Sequence, residues 1–193
     1  MERLPRDARA PKGPLQLLQG MLEIEIQLVV HTLHAYERHA VRIPDGRLFR
    51  MSELGYETRL CNMALVSAAA TWEGFCGNIM RIIRSSGQRI NKRQLLRYVK
   101  QTTQYQYITE PLARRDCIVH NFAKVDSKYK LAVPDSTLNI NDSLSIRLPY
   151  LKQASTAFFN TGVALTTLLI QNDLLPNGLQ RTIGEFQNEP GIV

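Results

Sequence analysis

The sequence predicts an all-α protein, a four- to five-helix bundle with a short extended arm or hairpin before the last helix. Three long segments repeat apolar residues at the three- and four-residue spacing of an amphipathic helix, over residues 15–42, 57–84 and 149–171. Glycine follows the first two segments, together with proline after the first, and both residues interrupt helices. Long helices joined by short connections are typical of a bundle.

Two shorter helices are predicted between the second and the last long segment. Asn91 is a suitable N-cap for a helix over residues 92–103, because its side chain can accept a hydrogen bond from a free backbone N–H. Thr109 is a suitable N-cap for the next helix, since Pro111 fits in a first turn. We expect that helix to end at residue 121 or 122.

The segment before the last helix has a different pattern. Residues 124–133 show no clear periodicity and are expected to be irregular. Apolar and polar side chains then alternate, and the apolar set is Leu138, Ile140, Leu144, Ile146 and Leu148. A period of two is typical of extended chain, so we expect an arm or a hairpin here.

Length and composition favour a single globular domain. Of the 193 residues, 44% are apolar and 21% are charged, which are ordinary values for a folded soluble protein. We expect a flexible basic leader at residues 1–13, a helical domain at 14–172, and a C-terminal tail at 173–193 that is loop or disordered. Both ends are rich in proline and glycine.

Cysteine usage and apolar run length bear on the compartment. Three cysteines, Cys61, Cys76 and Cys117, lack paired spacing, and two of them lie in apolar helical patterns, which indicates thiols in a reducing environment. The longest apolar runs, such as residues 63–70, are too short to span a bilayer. We therefore expect a cytoplasmic protein without a membrane partner.

The basic residues favour a polyanionic partner. The net charge is +7, and the cations fall into two groups. The first group is Arg81, Arg84, Arg89, Lys92, Arg93, Arg97 and Lys100, and the second is Arg114, Arg115, Lys124, Lys128 and Lys130. The first group is either a surface for phosphates or a set of solvated helix faces.

Three histidines on the first predicted helix form the only candidate for a metal site. His31, His34 and His39 lie near Glu37, and two histidines three residues apart can share a metal. No cysteine or second carboxylate accompanies them, so we favour a polar helix face and expect no metal or other cofactor.

Residues 114–121, which read RRDCIVHN, combine the side chains that phosphodiester chemistry requires. RNA supplies its own nucleophile, the 2′-hydroxyl, so cleavage needs proton transfer and stabilisation of a phosphorane but no metal. Histidine suits proton transfer because its unperturbed pKa is near neutrality. Arginine suits the phosphate because its planar guanidinium stays protonated. Arg115 and His120 are therefore the candidate catalytic residues.

The spacing of these two residues is a geometric problem. Five residues correspond to about 140° around an α-helix, so the two side chains do not converge in one straight helix. Either the helix frays before His120, or a second copy completes the site across a two-fold axis. Asp116 lies one turn before His120 and could orient the imidazole. Asn121 could bind phosphate or cap the helix end.

This motif resembles the HEPN family (higher eukaryotes and prokaryotes nucleotide-binding), whose signature is an arginine and a histidine separated by four to six residues. Arg115, Asp116 and His120 match that signature in order. The sequence KVDSKY at residues 124–129 also resembles the valine–aspartate and tyrosine that follow the motif in many bacterial members.

The resemblance covers about residues 59–171, because Glu73 after Trp72 resembles an acidic residue in the family's earlier helix. It implies a helical bundle, a homodimer with a composite site, and metal-independent ribonuclease activity. It also implies a toxin or antiviral-defence effector, with an antitoxin or regulatory protein as a further partner. Asp116 departs from the asparagine that is common there.

Several neighbours are candidates for supporting roles. Arg114 also lies at the family's spacing from His120, so it is the alternative catalytic arginine. We favour Arg115. Glu73 either pairs with Arg115 or a neighbour and sets the charge of the site, or it forms a structural ion pair. Lys124, Lys128 and Tyr129 either contact RNA, by phosphate pairing or stacking, or belong to a solvated loop.

Three functions remain open from the sequence. The favoured one is an endoribonuclease that acts through the 2′-hydroxyl. The alternative is a catalytically idle helical module of the same fold that binds RNA or a protein, and the third is a structural adaptor. No Walker loop, HExxH or GxSxG motif is present, so nucleotide hydrolases, zincins and serine hydrolases have no support.

Overall fold

The all-α class is confirmed. The computed structural model describes residues 13–38, 41–42, 48–49 and 55–176. In that part of the chain the elements are α1 (Pro14–Arg38), β1 (Val41–Arg42), β2 (Leu48–Phe49), α2 (Tyr56–Ser85), α3 (Lys92–Gln101), α4 (Tyr105–His120), α5 (Ser127–Ala132) and α6 (Leu148–Gln171). None of these helices is both long and apolar enough to span a membrane.

Four long helices, α1, α2, α4 and α6, build the bundle around one core. Trp72 of α2 stacks on Phe158 of α6 with 6.1 Å between ring centroids, and Leu18 of α1 reaches the same level beside Gly162 of α6. These residues are nearly fully buried, so the apolar stripes that predict the helices are the faces that meet. The core also includes Leu175, beyond the predicted domain end at 172.

The short helix α3 begins where its capping signal predicts. The Asn91 side chain accepts from the Gln94 N–H, and the Gln94 side chain accepts from the Asn91 N–H, each at 2.9 Å. Leu95 and Val99 are buried and attach α3 to the bundle. The helix ends at Gln101, two residues before the predicted end.

Two predicted helix boundaries are wrong by four residues or more. The first helix ends at Arg38, because β1 follows it and pairs with β2, with Val41 opposite Phe49. The fourth helix begins at Tyr105, not after Thr109. The Thr109 hydroxyl donates to the Tyr105 carbonyl at 3.1 Å, as in a helix interior, so Thr109 is not a cap. Pro111 lies inside the helix and is buried.

The region between α4 and α6 also differs from the prediction. A short helix, α5, interrupts the segment expected to be irregular, and Asp126 caps it by accepting from the Tyr129 N–H at 2.7 Å. The arm that follows is extended but does not form a hairpin with itself. It pairs with the chain before α5 instead, where the Leu144 N–H donates to the Ala123 carbonyl at 2.7 Å.

The predicted leader lies outside the described residues except for Gly13, and so does the tail beyond residue 176.

Candidate functional site

One of the two ways expected to bring Arg115 and His120 together was fraying of the helix before His120. This expectation is wrong, because α4 stays regular through His120. Asn121 is the C-cap, and Phe122 and Ala123 then take left-handed conformations with φ of 52° and 58° that reverse the chain. The Asn121 side-chain amide donates to the Lys124 carbonyl at 2.8 Å. This bond holds the turn after the helix, and phosphate binding by Asn121 stays a prediction.

Arg115 lies on the face of α4 that packs against α2. Its Nη2 donates to the Glu73 carboxylate, and its Nη1 lies 3.2 Å from Oδ1 of Asp116. The side chain is 22% exposed, and its Nε is buried without a hydrogen-bond partner among the described residues. The structure thus pairs Glu73 with Arg115, and two carboxylates hold one guanidinium.

His120 lies on the opposite flank of the helix end. Its side chain is exposed, at the rim of a cavity of about 290 Å³ between α4 and α5. Asp116, Asp126 and Lys128 also line this cavity, whereas Arg115 does not. Asp116 therefore borders both groups, because it pairs with Arg115 and shares the cavity of His120. Within one chain the structure does not bring Arg115 and His120 into a common cleft.

Arg114 faces a different neighbour, helix α6. Its Nε and Nη2 donate to one carboxylate oxygen of Glu110 at 2.9 and 2.7 Å, and its guanidinium lies 4.4 Å from the ring centroid of Tyr150. The Tyr129 hydroxyl donates to the same Glu110 oxygen at 3.1 Å. These contacts hold Arg114 between α4, α5 and α6, and its side chain is 15% exposed, against 22% for Arg115.

Tyr129 is the clearest correction among the predicted RNA-binding residues. Its side chain is only 1% exposed and packs with Cys117, Val125 and Leu144 in a small second core. Burial raises the pKa of its phenol. Because the ring faces protein, it cannot stack on a base. Lys124 and Lys128, in contrast, are exposed on the loop and on α5 beside His120.

The charges around the helix end are more balanced than the sequence suggests. Arg114 and Arg115 have carboxylate partners, and Lys130 donates to the carbonyls of Ser136 and Leu138 at 2.7 and 3.0 Å. Only Lys124 and Lys128 of the second cation group are left to face solvent. The described residues of one chain therefore form no dense cationic cleft.

Sequence reasoning did not single out Glu110 or assign Asp126 a role in the site. Asp126 lines the cavity, caps α5 and accepts a weak hydrogen bond from the Cys117 thiol, with 3.9 Å between the two atoms. An N-cap pattern at Asp126 was the available signal. For Glu110 the available signal was its spacing of four residues from Arg114 on one helix, whereas its contact with Tyr129 depends on the turn after α4.

The histidines of α1 give no metal cluster in the described part of the chain. His31 and His34 are exposed, and no group of three His, Cys, Asp or Glu side chains is close enough to hold a metal there. His39 and the Glu37 side chain lie outside the described residues.

Comparison with known proteins adds no assignment. No family model, no curated protein and no solved structure matches this chain.

Proposed function

We propose that this protein is a metal-independent endoribonuclease that acts as a homodimer, with Arg115 and His120 as its catalytic residues. The observation that carries the proposal is the end of α4, where an exposed imidazole borders an open cavity and Asp116 links it to a partly exposed guanidinium. The resemblance to HEPN proteins supports the same assignment, and a role as a toxin or antiviral-defence effector rests on that resemblance alone.

The chemistry is a transesterification within the RNA. His120 takes the proton from the 2′-hydroxyl, and the 2′-oxygen then forms a bond to phosphorus. The bond between phosphorus and the 5′-oxygen breaks, and the leaving oxygen receives a proton from an imidazolium. Arg115 stabilises the extra negative charge on the phosphorane oxygens. The products are a 2′,3′-cyclic phosphate and a 5′-hydroxyl.

A second copy of the chain brings Arg115 and His120 close together. Arg115 and His120 lie on different flanks of α4, so one copy offers each group to a different side. Two apolar side chains flank His120 without cover from their own chain, since Val119 is 49% exposed and Phe122 is 93% exposed. In a two-fold dimer formed around these residues, the two helix ends meet and the arginine of one copy approaches the histidine of the other.

One observation favours the alternative, an idle RNA-binding module. The Arg115 guanidinium is already paired with Glu73 and Asp116, and a phosphate would have to compete with both carboxylates. The two carboxylates are well exposed, at 57% and 62%, so solvent weakens their hold on the arginine. For this reason we favour the catalytic reading.

The test is cleavage of single-stranded RNA in EDTA by the wild type and by His120→Ala. We expect a 2′,3′-cyclic phosphate product from the wild type and a rate lower by about 10²- to 10⁴-fold in the variant. His34→Ala is the matched control, because it removes another exposed histidine, and it should cleave like the wild type. Equal cleavage by His120→Ala and the wild type would refute the assignment.

The dimer has its own readout. Phe122→Ser removes the most exposed large apolar side chain beside His120 without touching the bundle core. We expect this variant to be monomeric in sedimentation experiments and to cleave poorly. A monomeric wild type that cleaves at full rate would show that one chain is sufficient.

A further inference from the structure

A second surface, formed by the end of α2 and by α3, carries seven cations without an acidic residue between them in the sequence. We call it the α3 surface, and it consists of the last turns of α2, the following turn and α3. Its seven cations are all exposed, namely Arg81, Arg84, Arg89, Lys92, Arg93, Arg97 and Lys100.

No acidic residue lies among these cations in the sequence or pairs with one of them in the described part of the chain. The sequence has no Asp or Glu between Glu73 and Glu110, and none of the seven cations forms an ion pair with another described residue. Solvated helix faces usually alternate opposite charges, because pairs three or four residues apart then attract each other. Here Arg93 and Arg97 lie one turn apart and repel each other. A polyanion bound to this face would remove that repulsion.

The cations are also held on a rigid support. Leu95 and Val99 are 3% and 4% exposed, and the capping box at Asn91 fixes the start of α3. The apolar face of α3 is therefore buried in the bundle core. Leu96, at 47% exposed, is the only large apolar side chain that α3 leaves to solvent. A lipid surface would need more apolar contact than this, so the face suits a hydrated polyanion.

A crevice of about 500 Å³ lies where α2 meets α3. Arg84 and Arg89 line it together with the side-chain amides of Gln88, Asn91 and Gln94. The Gln88 Oε1 is buried and has no hydrogen-bond partner among the described residues. Guanidinium donors bind phosphate oxygens well, and the Gln88 Oε1 can accept a hydrogen bond from a ribose hydroxyl. No exposed aromatic ring lines the crevice, which points to contacts with the backbone rather than with bases.

We propose that the α3 surface binds the sugar–phosphate backbone of single-stranded RNA, independently of sequence, and delivers the strand to the α4 end. The choice of RNA as the polyanion rests on the proposed function. Helix α4 separates the two places, and its 16 residues correspond to about 24 Å. Only an RNA of several nucleotides can span that distance, so a short oligonucleotide should reach His120 without using the α3 surface.

Binding is measured in the His120→Ala background, so that the RNA stays intact. Arg93→Gln/Arg97→Gln is compared with Arg59→Gln/Lys152→Gln, which removes two exposed cations elsewhere and changes the net charge equally. The probe is a fluorescent 20-nucleotide RNA, titrated between 50 and 200 mM salt. We expect affinity to fall by about tenfold only in the α3 variant, and its salt slope to become shallower by about 1.4, from two lost phosphate contacts.

Glutamine keeps helix propensity, so circular dichroism should show a folded α3 variant. If that variant does not fold, Arg81→Gln/Lys100→Gln tests the same surface from both helices. Equal RNA affinity of the α3 variant and its control would overturn the proposal. So would tight binding to phosphatidylserine vesicles without binding to RNA.

The two proposals fail in different ways. RNA binding that depends on the α3 surface without any cleavage by the wild type would refute only the ribonuclease assignment. Cleavage that depends on His120, with long and short RNAs equally insensitive to Arg93→Gln/Arg97→Gln, would refute only the docking surface.

Discussion

The two ends of helix α4 differ in whether the cationic side chains near them have carboxylate partners. Near its start, the α3 surface exposes seven cations with no carboxylate between residues 74 and 109. Near its end, both arginines are held by carboxylates, Arg114 by Glu110 and Arg115 by Glu73 and Asp116. Both ends contribute to the same basic composition, yet at the α4 end only Lys124 and Lys128 face solvent unpaired, against seven cations on the α3 surface.

The difference indicates a division of labour. Unpaired cations attract a polyanion over a range set by the ionic strength, and many contacts share the binding energy. A paired arginine attracts less at long range but keeps a fixed orientation, which is what a reacting phosphate requires. The contrast predicts that single substitutions have large effects at the α4 end and small ones at the α3 surface.

The largest expected effect comes from Arg115→Gln. If Arg115 stabilises the phosphorane, this variant should cleave RNA about 10²- to 10³-fold more slowly. Its stability should change little, because Glu73 is well exposed and can be solvated after the arginine is lost. Single-turnover cleavage and urea unfolding measure the two quantities.

Arg97→Gln is the matched substitution on the α3 surface, since it also removes one arginine. It should alter cleavage of a short oligonucleotide very little. A comparable loss in both variants would mean that the two ends do not differ in the way proposed here.

A smaller effect is expected from Arg114→Ala, and it should appear in stability. The change removes the partner of Glu110 and the cation over the Tyr150 ring, so we expect the free energy of unfolding to fall by about 1–3 kcal/mol. Urea denaturation tests this, with Arg97→Ala as the exposed control. An Arg114→Ala protein that is as stable as the wild type but inactive would instead make Arg114 the catalytic arginine.

The bundle was predictable from the sequence because its signals are local. The apolar periodicity of α2 and α6 spans many turns, and the capping box of α3 lies within four residues. The start of α4 was missed because Thr109, with Pro111 after it, has the sequence of an N-cap. In the structure the Thr109 hydroxyl instead donates to the Tyr105 carbonyl inside the helix. Helix α5 has a single short capping pattern and too few residues to show periodicity.

The candidate site was predictable only in part, for a related reason. The order of Arg115, Asp116 and His120 on one helix follows from the sequence, and so does their angular separation. Their surroundings depend on contacts between distant segments. Glu73 meets Arg115 from 42 residues away, which the sequence left as one of two alternatives. The burial of Tyr129 depends on how the arm after α5 folds back, which no periodicity encodes.

The smallest predicted effect concerns the thiol of Cys76, which Glu73 and Lys92 both influence. Burial first and Glu73 second raise the pKa of the Cys76 thiol, Lys92 of the α3 surface lowers it, and the resulting pKa is about 12. At pH 8 the thiolate is therefore scarce, and alkylation by iodoacetamide should be slow. Glu73→Gln should speed the labelling of Cys76 and Lys92→Gln should slow it, as followed by peptide mapping.

Salt should weaken both effects, because each is a Coulombic interaction between partly exposed groups. The pH dependence has a definite sign as well. A thiol pKa that is raised from 9.0 in the unfolded chain stabilises the folded state below pH 9, and this contribution is lost as the pH rises towards about 12. If iodoacetamide alkylated Cys76 at the wild-type rate in both variants, neither Glu73 nor Lys92 would influence the thiol. The charge contrast along α4 would then be local to each surface.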